Sequence, residues 1–128
     1  MTKILAPAAL ALALGCGGGS GAAGPAGVDS SEQVSAASDA DKGALCDWFV
    51  GMVGGYGAAP TCAMAQITAP PDKATCVSTF PDCAVTVAVF EDCVERLVSA
   101  QDTCTQQAIS TAASTASCES VAMAGCFY

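Results

Sequence analysis

Residues 86–100, TVAVFEDCVERLVSA, decide the fold. Val87, Phe90, Cys93, Val94, Leu97 and Val98 recur at the steps of three and four that line up on one side of a helix. Glu91, Asp92, Glu95 and Arg96 fall on the other side, which reads as a solvated face. Thr86 suits the N-cap position. The spacing therefore predicts an amphipathic helix over 87–100, and a helix with one apolar stripe needs other elements to cover it.

Those elements come from both sides of the stretch. Residues 43–55, GALCDWFVGMVGG, place Leu45, Trp48, Phe49, Met52 and Val53 at i, i+3, i+4, i+7 and i+8. This predicts a helix over 42–53 with Asp41 at its start and Gly54 and Gly55 as its stop. Residues 56–68 contain Gly57 and Pro60 and read as a loop. A short helix is predicted over 71–79, opened by Pro71 and closed off by Pro81, and another over 116–124, ended by Gly125. Residues 103–117 are nearly all small or polar, with Ile109 the one sizeable apolar side chain, and support no assignment. Residues 28–41, VDSSEQVSAASDAD, are polar and acidic and read as disordered chain, which puts the start of the ordered domain at Lys42.

A core assembled from these helices is thin. The chain has one Trp, two Tyr and four Phe, and much of its 52% hydrophobic content is alanine, cysteine or the apolar run at the start. So small a domain gains little net stability from burial alone. Nine cysteines in 128 residues approach the density of a disulfide scaffold in an exported chain. Eight of them fall in the domain: Cys46, Cys76, Cys93 and Cys118 within predicted helices, and Cys62, Cys83, Cys104 and Cys126 in loops or at helix ends. Their connectivity is open among 105 pairings. No C-x-x-C pair occurs, which disfavours zinc and thioredoxin-like redox chemistry and favours structural bridges. The expected class is all-α: a small disulfide-stapled bundle of about four short helices after a disordered N-terminal tether.

Charge and composition narrow the chemistry. Twelve acidic residues stand against four basic ones, a net charge of −8, and such a surface repels nucleic-acid backbones. The chain has no histidine, which removes Ser-His-Asp and Cys-His catalysis and imidazole metal ligation together. Glu91, Asp92 and Glu95 cluster, but on the face assigned to solvent, and Asp39 and Asp41 open like a calcium loop whose pattern fails at Gly43 and Val50. No catalytic residue, metal ligand or cofactor is assigned. Trp48 and Phe49 belong to the predicted buried face, whereas Tyr56, inside GGYGAAP, and the terminal Phe127 and Tyr128 are candidates for partner contact.

The ninth cysteine has a different setting. Lys3 supplies a short positive segment, and residues 4–14 are apolar apart from Pro7, a length that suits an export signal and is too short to span a bilayer. Ala13-Leu14-Gly15-Cys16 resembles the lipobox of bacterial lipoprotein signals, matching at Gly15 and Cys16 and departing at Ala13, where leucine is more usual. The resemblance implies removal of residues 1–15, lipidation of Cys16, and a flexible linker over 16–41. In layout, the chain is similar to the small cysteine-rich lipoproteins numerous in myxobacteria-like, high-GC bacteria. That group implies export and anchoring in the cell envelope, at the outer membrane, and no established activity. The expected function is a membrane-anchored, disulfide-stabilised interaction module without catalysis, touching another envelope or extracellular protein. The alternative is a small carrier that holds an apolar ligand between its helices.

Overall fold

A computed structural model of the chain describes residues 22–65 and 67–127. The signal segment 1–15, Cys16 and Tyr128 lie outside the described residues. Among those described, the chain forms α1 (Asp39–Met52), α2 (Lys73–Ser78), α3 (Val87–Thr103), α4 (Gln106–Ala113) and α5 (Ala116–Met123). All six residues of the α3 stripe are buried. α4 and α5 pack against α3, and α1 pairs with α2.

Side-chain oxygens set where the helices begin. Ser38, Asp72, Thr86 and Thr105 accept from the backbone N–H groups of Asp41, Thr75, Val89 and Ala108, satisfying donors that have no partner within their own helix. Ser38, rather than Asp41, caps α1, so that helix starts three residues earlier than its apolar pattern announces. Gly54 and Gly55, at φ 99° and 104°, end it. α4 fills most of the stretch left unassigned. It is eight residues long, opens on a cap at Thr105 and buries only Ile109 and Ala112, so it holds a single bulky apolar side chain from which a helix could be read.

The largest departure from expectation lies before α1. The segment expected to be tether is a strap packed across the start of α3, with Val28 and Val34 buried at 2% and 0% exposure. Val34 N–H donates to the Val85 carbonyl at 2.9 Å and Ser35 N–H to that of Cys83 at 3.1 Å. In the other direction, Val87 and Ala88 donate to the carbonyls of Glu32 and Ser30 at 2.8 and 3.0 Å. Together with the Thr86 hydroxyl, the strap therefore caps the first turn of α3. Polar composition concealed two valines whose burial, with these backbone bonds, offsets the ordering of the segment.

Glu91 is the second correction. It is not on a solvated face but 3% exposed, where its carboxylate accepts from the Ala26 N–H at 3.1 Å. Gly24 permits this approach, since a Cβ there would lie 2.0 Å from the Glu91 Oε2. Burial pushes the Glu91 carboxyl above its ordinary range, the negative charge of Glu95 adds to the shift, and the Ala26 bond opposes it. A raised folded-state pKa favours the native state while the group is protonated, and that contribution is lost as pH rises through the shifted value. Glu91→Gln keeps an acceptor for Ala26 without the buried charge. Thermal melts across pH should show it more stable than the parent above the shifted titration, and converging with it in acid. Equal melting at every pH would mean that the carboxylate is solvated.

Four disulfides tie the elements together: Cys46–Cys76, Cys62–Cys104, Cys83–Cys126 and Cys93–Cys118. Helical cysteines pair with helical ones, joining α1 to α2 and α3 to α5. The loop and end cysteines pair with each other, and Cys104 takes a left-handed conformation, φ 50°, where α3 stops.

Candidate functional site

All four phenylalanines of the chain line one concavity of about 380 Å³. Phe49 comes from α1, Phe80 from the residues after α2, Phe90 from α3 and Phe127 from the C-terminal end. Ile67 and Pro81 add to its walls. Phe80 and Phe90 meet with ring centroids 5.5 Å apart and planes tilted by 53°, a separation within the range of favourable aromatic pairs. Disulfides hold two of the lining residues: Cys76 ties α2 to α1, and Cys126, the residue before Phe127, is tied to Cys83. The groove is open to solvent, and among the described residues no charged side chain lines it.

The residues singled out from sequence for partner contact are divided by the structure. Phe127, 39% exposed, forms one lip of the groove. Tyr56 is engaged within the molecule: its hydroxyl donates to Asp47 Oδ1 at 2.7 Å, while Lys73 Nζ reaches Asp47 Oδ2 at 2.6 Å. Burial, then the Asp47 bond, pushes the Tyr56 phenol up to about 12, and the Lys73 and Tyr56 bonds hold Asp47 below the usual carboxylate range. Tyr128 and the lipidation candidate Cys16 lie outside the described residues. Phe49 and Phe90 were legible as apolar-face residues but not as groove lining, because only the chain's path between them brings Phe80 and Phe127 alongside.

Charged clusters elsewhere are shallow. Asp39, Lys42 and Lys73 edge an open depression beside α2, but the Lys73 ammonium is committed to Asp47 with both side chains about half exposed, at 53% and 52%. Asp92 accepts from Arg96 at 2.8 Å and from Ser117 at 2.5 Å, linking α3 to α5, and these bonds keep its carboxyl low. Among the described residues no group of three or more His, Cys, Asp and Glu is placed to hold a metal ion, and no helix is long and apolar enough to cross a membrane.

Fold and groove together define a small all-α module crosslinked by four disulfides, a chemistry compatible with an exported protein. Compared with protein-family models, curated proteins and solved structures, the chain has no match.

Proposed function

We propose that the protein is a lipid-anchored interaction module of the bacterial cell envelope, without catalytic activity, that contacts a partner protein through the four-phenylalanine groove. The convergence of every phenylalanine on one solvent-open groove carries this reading, because a buried floor at Phe90, partly buried walls at Phe49 and Phe80 and an exposed lip at Phe127 make a concave aromatic surface of the kind that anchors a partner's side chains. The lipobox resemblance at Cys16 supports the anchor. The packed strap adds a geometric consequence: five residues separate Cys16 from Ala22, a reach of at most about 20 Å, so the anchored domain would stand close to the bilayer. The absence of histidine and the pairing of Lys73 and Arg96 with carboxylates support a role other than acid–base catalysis.

A second reading, a carrier of small apolar ligands, is favoured by the groove volume, which falls within the range of ligand sites. Its openness favours the first, since a carrier encloses most of its ligand. Intact mass of the protein extracted from membranes under native conditions, before and after reduction and alkylation, tests both. The expected species begins at an acylated Cys16 and carries eight thiols that alkylate only after reduction. An unmodified chain with free thiols would overturn the anchor, and a discrete non-covalent adduct would favour the carrier.

A further inference from the structure

We propose that the groove docks a basic amphipathic helix, whose apolar face lies on the phenylalanines and whose lysines or arginines lie over the carboxylates beside them. This rests on the interaction-module reading and gives its partner a chemistry.

Charge supplies the first argument. Beyond the signal segment three basic residues stand against twelve acidic ones, and two of the three, Lys73 and Arg96, are committed to Asp47 and Asp92. The outward field is therefore acidic, and loops that form the groove lead straight into exposed carboxylates. Pro70 is followed two residues later by Asp72, and Pro81 is followed at once by Asp82. Asp72 is kept ionised by the Thr75 N–H it caps. An anionic ligand such as a fatty acid, or a membrane of anionic lipids, would meet like charge at this rim, whereas a cationic segment would be steered towards it.

Backbone chemistry supplies the second. An extended peptide gains affinity by adding to a sheet edge, and among the described residues there is no strand to extend, only isolated bridges between Ala23 and Asp29 and between Gln33 and Thr86. A helix satisfies its own backbone and presents side chains alone. Anchors at i, i+3, i+4 and i+7 suit an apolar trough formed between α1, α3 and the C-terminal end.

The experiment titrates the disulfide-intact protein with three synthetic helical peptides while following Trp48 emission and calorimetric heat. The first is KLLKLLKKLLKLLK, the second exchanges every Lys for Glu, and the third exchanges every Leu for Ala. The leucine–lysine peptide should bind at least roughly tenfold more tightly than either of the others, and its affinity should fall as salt is added. Phe127→Ser, at an exposed lip where folding is not at stake, should weaken it roughly tenfold with unchanged circular dichroism. Equal binding of the glutamate peptide would overturn the charge argument while leaving the module reading standing. Unchanged affinity in Phe127→Ser would remove the groove as the site. Failure of all three peptides, with a small apolar molecule retained by the protein in native mass spectrometry, would overturn the module reading itself.

Discussion

Reduction of all four disulfides unfolds the domain: helical circular dichroism falls to that of a disordered chain, and Trp48 emission shifts to the red. The bridges close separations of 30, 42, 43 and 25 residues, and the chain-entropy account assigns each about 3.5–4 kcal/mol. Contributions of that size, even if far from additive, match or exceed the roughly 5–15 kcal/mol of net stability that a domain has at all. The remaining core cannot make up the difference. Its buried side chains are mostly valine, alanine and the cysteines themselves, with Leu45, Leu97, Ile109 and Phe90 the few larger members. Because seven of the eight bridged cysteines are buried, reduction also leaves thiols in place of packed sulfur pairs inside the core. Helices that persist after complete reduction, with thiol alkylation verifying the reduced state, would show that valine packing suffices and that the bridges only trim the ensemble. Selective loss of Cys83–Cys126, by replacing both with alanine, should be milder globally and severe locally. It frees the tail that places Phe127, and peptide affinity should fall with it.

What could be read from the sequence follows from how local each signal is. The α3 stripe is a property of consecutive residues, and Val87 through Val98 lie where their spacing places them. The loop at 56–68 and the stops at Gly54, Gly55 and Gly125 are likewise local, since a positive φ is a demand made on one residue. α4 escaped because it is only eight residues long and Ile109 is its one bulky apolar side chain, the rest of its buried side being alanine. Glu91 and the strap were misread for one shared reason. Composition treats a glutamate as solvated and a glycine- and serine-rich segment as unstructured chain, while the structure sets the start of the strap against Glu91, with Ala26 N–H bonded to its carboxylate. The groove was least legible of all. Which phenylalanines meet depends on connections across tens of residues, and the two bridges at its walls belonged to 105 equivalent pairings.

Val34→Asp should cost more than about 3 kcal/mol, whereas Ser35→Asp, one residue further along the same strap, should cost less than about 0.5 kcal/mol. The contrast comes from burial: Val34 is 0% exposed, and Ser35 is on the outside. Val34 packs within an apolar cluster, so a carboxylate at position 34 is desolvated there and the strap must leave to solvate it. Its departure strips Val87 and Ala88 of the carbonyls of Glu32 and Ser30 and exposes Val28 as well. Chemical denaturation should register the loss of stability, and limited proteolysis should show cleavage between Ala22 and Ser38 appearing in Val34→Asp but not in Ser35→Asp. If both variants behave like the parent, residues 22–38 are a tether after all, and α3 caps itself through Thr86 alone. The same pair of variants bears on the proposed anchored form. With the strap docked, the five residues between Cys16 and Ala22 would limit the domain to about 20 Å from Cys16. With it released, the 22 residues between Cys16 and the start of α1 would allow up to about 80 Å. If Cys16 carries the proposed anchor, docking of the strap would set how far the groove can reach from the membrane, and Val34 is the side chain on which that distance would depend.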